Sequence, residues 1–229
     1  MVPVNLEGLI GWVRSLPLAS RGAESEIRLG TWMGVEAVFK LRIPKAYMHP
    51  RLDHSLRMAR TRREAKLLAR AHSLGAKVPL LLGVFPSAGL IVMERIRGKV
   101  LRDHITSGEY KSDEFKMAGE VLGKLHSGWI SHGDPTTSNY IVSRGGVYLI
   151  DFGLADKATS IEDLAVDIHL FRRAVESTHA PLAREILDHF LEGYLAATGS
   201  LGNRVVERAE EIRLRGRYVE ERRRTVWGG

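Results

Sequence analysis

The sequence holds no cysteine, which excludes disulfides, zinc thiolate sites and thiol nucleophiles, and makes a reducing cytosol the expected compartment. Long apolar runs are missing too. Stretches such as VPLLLGVF, Val78 to Phe85, are far too short to cross a bilayer. The start of the chain lacks a charged segment leading into an apolar core and cleavage site. A soluble, cytoplasmic protein with no membrane partner is therefore expected. There is no HExxH motif or paired histidine spacing, so His132 and His169 are expected to be structural rather than metal ligands. Repeats, low-complexity linkers and long hydrophilic gaps are absent. Acidic residues are outnumbered, 27 against 34 Lys and Arg, giving a net charge of +7 and a pI near 9.8. Such an excess attracts an anionic partner.

What is present is enough for one globular domain or two small lobes: 229 residues, 44% hydrophobic and 27% charged. The positive charge is concentrated. Lys40, Arg42, Lys45, Arg51, Arg57, Arg60, Arg62, Arg63, Lys66 and Arg70 face only Asp53 and Glu64 in the same segment. A second group, Arg213, Arg215, Arg217, Arg222, Arg223 and Arg224, closes the chain; solvated helix faces paired with Glu220 and Glu221 are the plain alternative there.

Ile27 to Arg42 alternates as a hairpin broken at Gly34, and Pro44 and Pro50 then interrupt the strand signal. Leu56, Thr61, Leu67 and Leu68 predict a helix from about Asp53 to His72, followed by strands LLLGVF and GLIVMERI around the Pro86 to Gly89 turn. Ser112 or Asp113 is expected to cap a helix with Phe115, Ala118, Leu122 and Leu125 on its core face, ending near Ser127 and Gly128. Strands NYIV and VYLI flank a turn at Arg144 to Gly146, and helices are expected at about 161–177, 182–197 and 204–213. The order predicts an α+β fold of two lobes: a small β-rich N-lobe (1–93), a hinge (94–98), a reduced helical C-lobe (99–212) and a basic tail (213–229), with a cleft between the lobes.

Two motifs give that expectation its chemistry, HGDPTTSN at His132 to Asn139 and IDFG at Ile150 to Gly153. A magnesium-bound triphosphate needs hard oxygen ligands, a cation on the non-reacting phosphates and a carboxylate for the attacking hydroxyl or water. Asp151 and Asn139 are the candidate Mg²⁺ ligands, and Asp134 the catalytic base. Lys40, ending the AVFK strand, would reach the α and β phosphates, and Glu64 would pair with it. The alternative for Glu64 is a surface glutamate paired with Arg60 at helical spacing. ATP and Mg²⁺ are thus the expected cofactors.

On these residues, together with RGAESEI at Arg21 to Ile27, KLRIPKAYMHPRLD at Lys40 to Asp53, RTRREAKLL at Arg60 to Leu68, EDLAVDIHLFRRAVESTH at Glu162 to His179 and GRYVEERR at Gly216 to Arg223, the chain resembles the small atypical protein kinase of the KEOPS (EKC) complex, a PRPK-type family. The resemblance covers about Leu18 to Arg224. It implies a minimal two-lobed kinase fold, MgATP binding, Ser/Thr autophosphorylation, an ATPase role inside the complex, and association with the tRNA threonylcarbamoyl transferase subunit and other KEOPS subunits. It also implies tRNA contact through the basic helix and C-terminal tail, in support of threonylcarbamoyladenosine formation.

Departures from ordinary protein kinases point the same way. No GxGxxG is present; Gly22, Ala23, Glu24 and Ser25 stand in its place and offer backbone amides. Gly133 replaces the arginine of an HRD motif, Thr136 sits where many Ser/Thr kinases place a lysine, and no APE follows DFG. Asp167 is expected to tie its helix to the HGD loop. Met93 reads as the gatekeeper, with backbone groups of Glu94 and Ile96 contacting adenine; Trp129 and Phe152 read as packing residues. The segment MVPVNLEGLIGWVRSLP carries no assignable role. Two rival classes remain: a small-molecule phosphotransferase of the aminoglycoside or choline type, which usually carries a larger C-terminal lobe, and a nucleotide-binding scaffold without turnover.

Overall fold

The computed structural model describes the backbone of residues 5–227 and the side chains of residues 5–215. Two units emerge, one of Met1–His72 with Pro79–Ile96, the other of Ser73–Val78 with Arg97–Gly229.

In the first unit, Asn5 caps helix α1 (Leu6–Ser15) by accepting from the Gly8 N–H (2.7 Å). The segment without an assigned role is therefore a helix, whose Leu9 and Val13 join the unit's core. Strands β1 (Leu18–Arg21), β2 (Ser25–Trp32) and β3 (Val35–Arg42) follow. Met33 and Gly34, both at positive φ (50° and 86°), make the two-residue turn between β2 and β3, the conformation that matches strand twist in a hairpin. Helix α2 (Pro50–Ser73) opens on Pro50. That proline was expected only to interrupt, but at the first helical turn its missing N–H costs nothing. Leu56, expected on the buried face, is 39% exposed, whereas Asp53, Thr61, Glu64, Leu67 and Leu68 are buried. Strands β4 (Leu81–Phe85) and β5 (Leu90–Glu94) complete an antiparallel sheet of order β1-β2-β3-β5-β4. Trp12, Trp32, Phe39 and Phe85 pack edge-on or tilted at 5.4–6.2 Å on one face of it.

The second unit holds β6 (Lys99–Val100), α3 (Leu101–Thr106), α4 (Ser112–Ser127), β7 (Ile130–Ser131), β8 (Tyr140–Ser143), β9 (Gly146–Leu149), β10 (Asp156–Lys157), α5 (Ile161–Thr178), α6 (Ala183–Thr198) and α7 (Ser200–Trp227). Ser73–Val78 groups with these elements because the Lys77 carbonyl accepts from Leu149 (3.0 Å) and Lys124 donates to the Gly75 carbonyl (3.0 Å). The cap expected at Ser112 or Asp113 falls at Lys111 instead. Ser112 spends its hydroxyl on Glu185 (2.9 Å), and Glu114 reaches back to the Lys111 N–H (3.1 Å). Helix α7 is far longer than the expected 204–213. Val205 and Ala209 bury its face, and pairs of Arg172 and Arg213 with Glu210 carry it where apolar periodicity fades. The core centres on Phe115, Leu122, Tyr140, Phe171 and Phe190, the last two stacked at 3.8 Å. Among the described residues no helix is long and apolar enough to cross a membrane.

Candidate functional site

Strand alternation puts Lys40 and Arg42 on one face of β3, and α2 lays Glu64 against both. Glu64 divides its carboxylate: Oε1 accepts from Lys40 Nζ and Oε2 from Arg42 Nη2, each at 2.6 Å. All three side chains are at least nine-tenths buried, so Glu64 is not the surface partner of Arg60 that helical spacing allows. A buried carboxylate needs this double pairing, because leaving either partner out exposes an uncompensated charge to a poor solvent. Arg60 turns to Glu24 instead (2.8 and 2.9 Å).

Gly22, Ala23 and Glu24 form the turn between β1 and β2, closed by the Gly22 N–H on the Ser25 carbonyl (2.9 Å). The Ile43 N–H donates to the Glu24 carbonyl (2.9 Å). Lys45 (2.9 Å) and Arg60 hold the Glu24 carboxyl down at about 2. Met93 and Glu94 end β5, half-buried; the Glu94 N–H donates to the Leu80 carbonyl (2.8 Å) and its carboxylate accepts from the Leu80 N–H (3.2 Å). Ile96 is the last residue of this unit.

In the second unit, the HGD loop is built around Asp167 of α5. Its carboxylate accepts from the backbone N–H groups of His132 (2.5 Å) and Gly133 (2.8 Å), as well as from the His126 ring (3.1 Å). The expected tie between α5 and the loop is present. His132 is fully buried, donating Nε2–H to the Ile150 carbonyl (3.0 Å) while Nδ1 accepts from the Asp134 N–H (3.3 Å). Burial lowers its pKa against the opposing pull of Asp167, so the ring is a neutral structural link. Phe152 packs edge-on against it at 5.1 Å. Trp129 does not share that packing role: the residue, left-handed in backbone (φ 55°), is 38% exposed.

This loop aims the acids. Asn139 spends its amide hydrogens on Asp134, on the carbonyl (2.8 Å) and on Oδ2 (2.9 Å), so the polar atom remaining on that side chain is its oxygen. The Asn139 carbonyl accepts from the Ile150 N–H (2.8 Å), which sets Asp151 one residue beyond. Asp151 is exposed and left-handed (φ 64°), its carboxylate accepting from the Gly153 N–H (3.1 Å). One carboxylate and one amide oxygen fit a hard divalent cation that takes its remaining ligands from phosphate and water. Among the described residues no cluster of three or more His, Asp or Glu could hold a metal without such help.

Sequence reasoning named Lys40, Glu64, Asp134, Asn139 and Asp151. The structure pairs the first two and joins Asp134 to Asn139. Arg42 was missed, although the same alternation that exposes Lys40 to Glu64 places Arg42 beside it.

No family model matches the chain. It is 39% identical to the "KEOPS complex subunit Bud32" of Pyrococcus abyssi over 90% of this chain and 97% of that protein. It is also 39% identical to the "Probable serine/threonine-protein kinase BUD32 homolog" of Archaeoglobus fulgidus, over 87% of this chain and 95% of that protein. A "Probable bifunctional tRNA threonylcarbamoyladenosine biosynthesis protein" of Methanothermobacter thermautotrophicus matches at 40% identity over 89% of this chain, which spans only 37% of that relative. Among solved structures, WaaP in complex with acyl carrier protein matches with a TM-score of 0.55 at 16% identity, over 88% of this chain and 91% of that one. That likeness shows the fold alone, a protein-kinase-like one.

Proposed function

The chain belongs to the Bud32 family, and from that premise we propose that it is the kinase-like subunit of a KEOPS assembly, using MgATP as a Ser/Thr kinase and ATPase in support of tRNA threonylcarbamoyladenosine formation. The observation that carries the reading is the Asp134–Asn139 pair, held by Asp167 through the loop backbone, beside a left-handed Asp151. Asn139 fixes the Asp134 carboxylate directly, and Asp167 fixes the loop that carries it through the His132 and Gly133 amides, which favours turnover over a scaffold. Bound MgATP supplies the transferable phosphoryl group and its counter-ion.

Lys40, oriented by Glu64, is assigned the α and β phosphates, and the amides of Gly22, Ala23, Glu24 and Ser25 the task of covering them. Asn139 and Asp151 are the assigned Mg²⁺ ligands. Asp134 orients the attacking hydroxyl or water and takes its proton. Met93, with backbone groups of Glu94 and Ile96, is assigned the adenine.

The partners proposed are the threonylcarbamoyl transferase subunit, other KEOPS subunits and tRNA. Support for tRNA comes from α2, whose exposed face carries Arg51, Arg62, Arg63, Lys66 and Arg70 while its two acids are buried. From Arg51 to Arg70 that face runs about 28 Å, several phosphate spacings of a nucleic-acid strand. The tail side chains Arg217 and Arg222 to Arg224 lie outside the described residues. A cytoplasmic location accords with these partners.

The test is steady-state phosphate release from MgATP by the chain alone and with the transferase subunit and tRNA. Asp134→Ala should abolish turnover, by about 10²-fold or more, yet still bind ATP, whereas Asp151→Ala should weaken MgATP binding itself. Turnover surviving in Asp134→Ala would remove the base assignment. Equal background in both proteins would favour the scaffold.

A further inference from the structure

An ion-pair chain within the first unit runs beyond the Lys40–Glu64 pair. Arg42 donates Nη2 to Glu64 (2.6 Å) and approaches Glu24 with Nη1 (3.7 Å); Glu24 in turn accepts from Lys45 (2.9 Å) and Arg60 (2.8 Å). The signs alternate without a gap: Lys40, Glu64, Arg42, Glu24, then Lys45 and Arg60. One end is the lysine assigned to the phosphates. The other is the turn that stands where a glycine-rich loop would cover them.

Two features separate this chain from ordinary surface pairing, which is worth little. Its middle is dry, since the side chains of Arg42, Glu64 and Lys40 are 6%, 3% and 8% exposed. Its far end is anchored twice, by the carboxylate in the cation cluster and by the Ile43 N–H on the Glu24 carbonyl (2.9 Å). The cluster also lines a cavity of about 200 Å³ together with Asp53, Arg57 and Tyr47.

Resting on the proposed use of MgATP, we propose that Glu24 is a positioning residue for the nucleotide's phosphates. Its carboxylate fastens the β1–β2 turn to Lys45 and Arg60 and, through Arg42 and Glu64, fixes where the Lys40 ammonium sits. A glycine-rich loop gains close approach from its lack of side chains; this turn gains it from a charge latch. Removing the latch frees the turn and leaves Arg42 to draw on Glu64 alone, in competition with Lys40. Adenosine, which has no phosphates, should not sense the change.

Calorimetric titration of the full chain with MgATP and with adenosine, alongside phosphate-release kinetics, tests this in wild type, Glu24→Gln, Arg60→Met and the double variant. Expected is a loss of MgATP affinity of about tenfold in Glu24→Gln, mirrored in KM with kcat little changed, and unaltered adenosine affinity. Arg60→Met should lose less, since Lys45 remains, and the double variant should be no worse than Glu24→Gln. Wild-type MgATP affinity in Glu24→Gln, or equal weakening of adenosine and MgATP, overturns the latch and leaves the proposed function standing. A wild-type chain that binds no MgATP overturns both.

Discussion

Gly133 shows how a single residue can be fixed by two constraints at once. Its φ is +81°, and a Cβ there would lie 2.6 Å from the Leu154 carbonyl oxygen. No side chain fits, so the arginine of an HRD motif is excluded by geometry. Gly133→Ala should cost on the order of 2–4 kcal/mol in urea unfolding, and it should slow phosphate release further, because the Gly133 N–H on Asp167 helps aim Asp134. Unchanged stability would mean that the loop has a second arrangement. The glycine's identity is plain in the sequence, but its reason is not. The contact with Leu154 joins positions twenty-one residues apart, and nothing local announces it. Asp134, Asn139 and Asp151 are readable for the opposite reason, since a loop, strand, turn and strand of fixed length carry them together. Arg42 lies between these cases: its face follows from alternation, while its partner needs the fold.

At the scale of elements, α4 and α6 meet backbone to backbone. A Cβ on Gly119 would lie 1.9 Å from the Phe190 carbonyl oxygen, and one on Gly193 would lie 2.0 Å from that of Lys116. Helix propensity alone favours alanine at either position by about 1 kcal/mol. Packing reverses the sign, and Gly119→Ala should destabilise by about 3 kcal/mol or more, read as a lowered urea midpoint at unchanged m-value. A stabilised Gly119→Ala would show that the two helices can separate at little cost. Elements with a strong period, such as the β2–β3 hairpin, α4 and α5, are legible because a single buried face dictates their apolar spacing, whereas α2 blurs its own by burying Asp53, Thr61 and Glu64 beside Leu67 and Leu68. Helix α1 carries a readable signal too, Asn5 ahead of Leu6, Leu9, Ile10 and Val13, yet its role depends on a sheet face that the sequence does not display. In α7 ion pairs replace apolar spacing, so periodicity understates its length.

Acids with lowered pKa occur in both units, but the histidines with lowered pKa are confined to one, and this divides the whole molecule's response to mild acid. Histidines with depressed pKa, His132, His169 and His179, all lie in the second unit, each shifted chiefly by burial. A base with a folded pKa below its ordinary 6.5 is bound by fewer protons in the native state than in the unfolded one. Its contribution is therefore complete above pH 6.5 and declines as the pH falls below that value. The first unit's depressed groups are acids instead. Glu24 falls from 4.5 to about 2 and Asp53 lies below 3.8, so their contribution persists until the pH drops below 4.5. Lowering the pH from 7.5 to 5.5 should consequently weaken the second unit while leaving the first intact. Hydrogen exchange, corrected for intrinsic rate, should show α4 and α5 losing protection across that range while β2, β3 and β5 keep theirs, and His132→Asn should flatten the α5 response if it still folds. Simultaneous loss in both units would mean that they unfold as one cooperative body, and earlier loss in β2 and β3 would contradict the assignment of the histidines as the acid-sensitive groups.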